Sequence, residues 1–136
     1  MPFMPWGPQL TLGIKSFDDE HLKLVGLVNE LYDAMQAGHG RQALAKIIDG
    51  LIAYTKTHFG HEEMYLSLHG YPDLAKHRGE HAGFTRHVTE IQAQYKAGTT
   101  ASLTIETLTF LRAWLLDHIL VSDKKYLPTL ANKHVS

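Results

Sequence analysis

The sequence contains no cysteine. Thiol catalysis, iron–sulfur clusters and disulfides are excluded, and a reducing compartment, the cytoplasm, is the expected location. It has almost no net charge, formally -1 at pH 7. Neither a nucleic-acid footprint nor a strongly acidic surface is indicated. No apolar run approaches the roughly 20 residues that span a bilayer. The start, Met1-Pro2-Phe3-Met4-Pro5-Trp6, has no basic flank and no apolar stretch. Neither a signal peptide nor membrane insertion is expected. There is no glycine-rich phosphate loop, no convincing nucleophile motif, no internal repeat and no low-complexity segment.

What the sequence has in excess is histidine, 10 of 136 residues. In a chain without thiolates, an excess of the commonest metal ligand favours a site of nitrogen and oxygen donors. The length suits one domain with one core, residues 1–136.

Residues 1–17 read as an extended arm, because Pro2, Pro5, Pro8, Gly7 and Gly13 oppose regular structure. Trp6, Leu10, Leu12 and Ile14 are apolar enough to lay it across a core. Four helices follow. The first starts among the capping residues Ser16 to Asp19, carries Val25, Val28, Leu31/Tyr32 and Met35 on one stripe, and ends at Gly38 and Gly40. The second runs from about Arg41 to about Leu68, with Leu44, Ile48, Leu51 and Thr55 inward, and is closed by Gly70. Pro72 opens the third, whose seam is Leu74, His77, His81, Phe84, Val88, Ile91 and Tyr95. It ends at Gly98, and Thr99 or Thr100 caps the fourth: Leu103, Thr107, Phe110/Leu111, Trp114, His118, then Asp123. Four helices joined by short glycine-containing turns predict an all-α, up-down-up-down four-helix bundle with an extended N-terminal arm.

Each helix interrupts its own apolar stripe with metal-ligand residue types. His21 lies one turn before Val25, and His58 and Glu62 continue the stripe of the second helix. His77 with His81 and His118 sit on the other two seams. Residues four apart lie on one helix face about 6 Å apart along the axis. A buried histidine stacked on a buried carboxylate is costly unless a charge sits between them. One inward histidine is more often a satisfied core residue than a ligand; four helices repeating the pattern argue for a site. Five imidazoles with Glu62 and Asp123 exceed the four donors of a structural zinc site and suit two ions. Carboxylates mixed with imidazoles point to iron or manganese.

One spacing is awkward. His118 and Asp123 are five apart, about 140° around an ideal helix. A π-type or frayed turn near Leu120 to Ser122 is expected, or Asp123 just beyond the regular helix. His39, His61, His69, His87 and His134 are expected to be solvated surface residues, and Glu63 to point outward.

These pieces together resemble the hemerythrin family, in particular its bacterial, single-domain members. The matching residues are Trp6 before Leu10-Thr11-Leu12-Gly13-Ile14, Asp19-Glu20-His21, His58-Phe59 with Glu62, His77 with His81, and Trp114-Leu115-Leu116-Asp117-His118-Ile119 leading to Asp123 and Tyr126. The resemblance spans nearly the whole chain. It implies two inequivalent irons, one held by His77, His81 and His118 and the other by His21 and His58. Glu62 and Asp123 would bridge them together with an oxo or hydroxo group. The second iron would keep a position open for dioxygen. Phe59, Trp114, Leu115 and Ile119 would wall the oxygen pocket.

The function so implied is reversible oxygen binding for storage, transport or delivery by a monomer rather than an enzyme, with an oxygen-consuming enzyme as recipient. Two other classes compete with it. A ferritin-like di-iron oxidase or peroxidase uses Glu-x-x-His pairs, and no glutamate here has a histidine three residues later. An oxygen or redox sensor module usually carries a partner domain.

Overall fold

The computed structural model describes residues 3–97 and 103–130. A 3-10 turn over Pro8–Leu10 leads into α1 (Lys15–Gln36), α2 (Gly40–Leu68), α3 (Leu74–Lys96) and α4 (Leu103–Asp117). A π-helical turn, His118–Asp123, continues α4, and a short α5 (Leu127–Leu130) follows. Consecutive long helices pack on one another and α4 returns against α1, which is the expected four-helix bundle. No strand occurs among the described residues, and none of their helices is long and apolar enough to cross a membrane.

The turns follow from glycine. Gly38 and Gly70 take φ of 82° and 68°, a region that side chains with a Cβ resist. Behind each, the next amide closes on a carbonyl five residues back: His39 N–H on Ala34 O and Tyr71 N–H on Leu66 O. This stop satisfies the last orphan carbonyls and reverses the chain within a few residues. Helix α1 starts differently from the sequence reading. It begins at Lys15 without a side-chain cap, and Asp18 instead accepts the amide N–H groups of Leu12 and Gly13, at 2.7 and 3.1 Å. The carboxylate therefore ties the arm to the helix. Asn29 ties it again, exchanging two hydrogen bonds with the Met4 backbone, and Met4 and Leu10 are fully buried. The arm is packed, as its apolar residues suggested.

The seams of α2 and α3 fall where periodicity put them. Leu44, Ile48, Leu51, Thr55, His58 and Glu62 are all buried, as are His77, His81, Phe84, Val88 and Ile91. On α4 the inward row is Thr107, Leu108, Leu111 and Leu115, while Trp114 is half-buried. The indole lies at the margin, where it packs on Phe84 and His118. Gly98, the Thr99/Thr100 cap, the Leu103 side chain and His134 lie outside the described residues.

Two apolar clusters form. One holds Leu24, Val25, Leu51, Phe59, Phe84 and Leu115; the other holds Leu12, Phe17, Leu66, Tyr71, Tyr126 and Leu130. The chain passes from one to the other along or just beyond each long helix, and the polar residues lie at the crossing. His21 falls between Phe17 and Leu24, Glu62 between Phe59 and Leu66, His77 and His81 between Tyr71 and Phe84, and His118 and Asp123 between Leu115 and Tyr126.

Candidate metal centre

The layer between the two clusters contains His21, His58, Glu62, His77, His81, His118 and Asp123, all buried. The five imidazoles turn Nε2 inward. His77 Nε2 lies 2.6 Å from Glu62 Oε1 and 3.2 Å from Asp123 Oδ1; His81 Nε2 lies 3.1 Å from Glu62 Oε1. His118 Nε2 lies 3.0 Å from Asp123 Oδ1. On the other side, His21 Nε2 lies 3.1 Å from Asp123 Oδ2, and His58 Nε2 lies 3.6 Å from Glu62 Oε2. Each carboxylate thus gives one oxygen to the three-histidine group and the other to the two-histidine group. Two sets of donor atoms within 4.8 Å of one another result: Glu62, His77, His81, His118 and Asp123, and His21, His58 and Glu62.

The π-helical turn makes this convergence. It spans His118–Asp123, and its i→i+5 bonding brings residues five apart onto one face. On a regular α-helix Asp123 would point away from His118. The expectation of a distorted turn at this place is met.

Whether these residues fit a metal is decided by their unpaired atoms. His21 Nδ1 and Nε2 and both Asp123 oxygens are buried with no hydrogen-bond partner among the described residues. His81 Nε2 faces His118 Nε2 at 3.1 Å. The Nδ1 atoms of those two rings face Glu63 and Glu80 at 2.8 and 2.9 Å. Rings that donate outward from Nδ1 turn two lone pairs toward each other, which is unfavourable unless a cation lies between them. Donors at right angles around an ion with bonds of about 2.1 Å stand about 3 Å apart, and most of the separations above are close to that. The residues fit.

The electrostatics agree. Burial alone would raise the Asp123 carboxyl, but the charge and contacts of His118, with His21 and His77, hold it well below the usual carboxylate range. Burial and the Asp123 charge push Glu62 up, yet His77, His81 and His58 bring it down to about 2. Burial disfavours the His77 cation, but Asp123 and Glu62 carry it up to about 10. His21 and His118 are raised as well; burial opposes the charge in each, but Asp123 and Glu62 together outweigh it. The layer demands positive charge, which protons supply when no metal does.

Outside the imidazoles stands a set of carboxylates that sequence reasoning missed. Glu20 meets His58 Nδ1 at 2.6 Å, Glu63 meets His81 Nδ1 and Glu80 meets His118 Nδ1. Each helix holds a histidine of the next in chain order. The signal was present: Glu20 precedes His21, Glu63 follows Glu62 and Glu80 precedes His81. One residue along a helix is a 100° rotation, which turns the neighbour of an inward residue toward the adjacent helix. Glu63 is therefore not outward. Tyr126 was also missed as a site residue; its hydroxyl donates to Glu62 Oε2 at 2.8 Å.

The remaining histidines divide. His39 is exposed. His87 is exposed but stacks on Phe110, with centroids 3.8 Å apart. His61 and His69 are half-buried, contrary to expectation. His61 is drawn down by Glu20, 2.9 Å from Nδ1, and His69 packs on Tyr65. Among the expected wall residues, Phe59 stacks on His81 at 3.8 Å and 3° and approaches His58 at 5.8 Å. Trp114 stacks on His118 at 4.4 Å, and Leu115 and Ile119 are almost wholly buried.

Comparison with known proteins gives concordant matches. The family described as "Hemerythrin HHE cation binding domain" matches residues 12–130. A bacteriohemerythrin of Methylococcus capsulatus is 33% identical over 132 residues, 96% of this chain and 99% of its own. One from Stenotrophomonas maltophilia is 32% identical over 126 residues, 93% of this chain and 80% of its own. A solved wild-type hemerythrin superimposes with a TM-score of 0.84 at 32% identity, covering 95% of this chain and 98% of that one.

Proposed function

This chain belongs to the hemerythrin family, a family of non-haem iron proteins that bind oxygen, and we propose that it binds dioxygen reversibly at a di-iron centre for storage, transport or delivery. The observation that carries the reading is the division of Glu62 and Asp123, each with one oxygen toward either histidine group. In this reading His77, His81 and His118 hold one iron, and His21 and His58 hold the other. Glu62 and Asp123 would each serve both irons, one oxygen to either side. The two-histidine group would offer its iron one imidazole fewer than the three-histidine group, which would leave room there for an added ligand. An iron pair, when bound, supplies two electrons to one dioxygen and recovers them on release.

The chain's own residues do the rest. Glu20, Glu63 and Glu80 orient three of the rings from outside and so fix which nitrogen faces inward. Tyr126 holds Glu62. Phe59, Leu115 and Ile119, with Trp114 at the margin, pack against the layer and exclude water, which favours binding without turnover. We read the protein as a carrier: five imidazoles to two carboxylates is a donor set short of the extra glutamates of oxidases. In this proposal it is a monomer of the cytoplasm, consistent with the absence of cysteine, and an oxygen-consuming enzyme is the recipient.

Iron analysis and visible spectra test the proposal. Two irons per chain are expected, with an absorption band that appears in air and vanishes on deoxygenation through repeated cycles. One metal per chain, zinc from iron-replete cells, or rapid multiple-turnover oxidation of an added organic substrate would overturn it.

A further inference from the structure

Each outer carboxylate is held by a second group as well as by its histidine. Glu63 has Arg78 at 3.3 Å, and Glu80 accepts the hydroxyl of Ser122. Glu20 has His61, whose Nδ1 lies 2.9 Å from Oε2 and 3.1 Å from Oε1. His61 is itself located by edge-on contacts with Phe17 at 5.0 Å and Tyr65 at 5.2 Å. The side chains of His61 and Glu20 are 18% and 20% exposed, whereas that of His58 is 2% exposed. A hydrogen-bonded line thus runs from the surface through His61 and Glu20 to the buried ring of His58. In the two-histidine group it stands alone, because His21 Nδ1 has no partner among the described residues.

We infer that Glu20, held by His61, is a positioning residue that fixes His58 with Nδ1–H outward and Nε2 toward the site, and that this pair sets how firmly the two-histidine half retains its metal. A carboxylate behind a ligating imidazole selects the tautomer and raises the basicity of the inner nitrogen. A glutamate that is one-fifth exposed can otherwise swing to water, and the bond from His61 removes that freedom. On the other half of the site the corresponding task falls to a guanidinium and a hydroxyl. The two halves therefore differ in their outer support as well as in their histidine count.

The claim on tautomer concerns the protein alone; the claim on metal retention rests on the di-iron reading, and the experiment separates them. Imidazole 15N shifts of the metal-free protein, at a pH where the rings are neutral, report the His58 tautomer. The wild type should hold Nδ1–H. Glu20→Met, which removes the acceptor, should populate both tautomers, with His61→Ala in between. Removal of iron from the reduced, loaded protein by a ferrous chelator should be biphasic. Glu20→Met and the milder Glu20→Gln should speed the fast phase alone, by about tenfold or more for the loss of an outer-shell partner. His61→Ala should speed it several-fold, and His61→Gln, which keeps a donor, should restore most of the wild-type rate. Glu63→Gln should act on the slow phase.

An unchanged tautomer in Glu20→Met overturns the positioning role. A fast phase unmoved by His61→Ala, or equal acceleration of both phases, overturns the role in metal retention. A wild-type chain without a pair of irons instead fails the di-iron reading, and the tautomer measurement still decides the rest.

Discussion

Tyr126 donates its hydroxyl to Glu62 Oε2 across 2.8 Å, and both side chains are fully buried. The bond joins the residue before α5 to the last third of α2 and fixes the oxygen that faces the two-histidine group. Burial, and then the charges of Glu62 and Asp123, push the phenol well above its ordinary range, so it remains a donor at any physiological pH. Tyr126→Phe leaves the ring packing intact and strips a buried carboxylate of a donor. A hydrogen bond to a charged group is worth about 1.5–3 kcal/mol. The metal-free variant should lose about that much in a denaturant titration. An unchanged midpoint would show that another group takes over the oxygen.

Ligand assignment is tested by a pair of substitutions on α3. His77→Ala removes a donor from the three-histidine group and should lower the iron content below two per chain. His87→Ala alters an exposed ring ten residues along, stacked on Phe110, and should leave both irons and the visible band in place. Equal iron content in the two variants would remove His77 from the site.

Metal removal should be costly. Five imidazoles and two carboxylates crowd one buried layer, and a ligand bound only by the folded state stabilises it in proportion to its excess over Kd. With iron bound at a few hundred times Kd, the gain is about 3 kcal/mol or more, which in a chain of this size is about 10 °C in Tm. Scanning calorimetry of the loaded and stripped forms measures it, and equal melting temperatures would mean that the layer does not hold metal.

Without iron, stability should peak in mildly acidic solution. The Glu62 carboxyl falls from 4.5 to about 2 on folding, so its contribution is complete above 4.5 and lost as pH drops toward 2. The His77 imidazole rises from 6.5 to about 10, so its contribution is complete below 6.5 and lost as pH climbs through 10. The optimum should lie between 4.5 and 6.5. As pH falls from neutral into that window the loaded protein should behave oppositely and lose stability, because protons compete for the imidazoles and release iron. Melting curves of both forms from about pH 1.5 to about pH 11, which spans both transitions, give the answer, and a stripped protein that gains stability steadily toward about pH 9 would contradict it.

Leu115 is 1% exposed and lies one helical turn before Ile119. Leu115→Ala should cost about 2–5 kcal/mol through the cavity it leaves. The more specific effect should be chemical, because a wider pocket admits water and anions. The variant should keep two irons while its oxygenated band decays faster in stopped-flow spectroscopy. An unchanged decay rate would take Leu115 out of the pocket wall.

Much of the site was legible along the chain because a helix repeats every 3.6 residues. Leu44, Ile48, Leu51 and Thr55 define the inward row of α2, and His58 and Glu62 lie on it by spacing alone. The same rule located His21, His77 and His81. It was weaker on α4, where Trp114 proved half-buried and Leu108 and Leu115 inward. It also took His61 and Glu63 for surface residues, because neither lies on its own helix's seam.

The sequence by itself determined the inward rows of α2 and α3 and most of the site's side chains, where glycines stop the helices, and that His118 and Asp123 need a non-α turn to share a face. These are properties of one helix at a time, set by local bonding and periodicity. Only the tertiary structure decided that Glu62 and Asp123 divide their oxygens between two histidine groups. It alone decided that Glu20, Glu63 and Glu80 each reach a histidine on the next helix, and that Tyr126 closes on Glu62. Such contacts depend on the rotation and axial offset of one helix against another. Those offsets are fixed by how the two apolar clusters pack above and below the polar layer, and no pattern within a single helix records them.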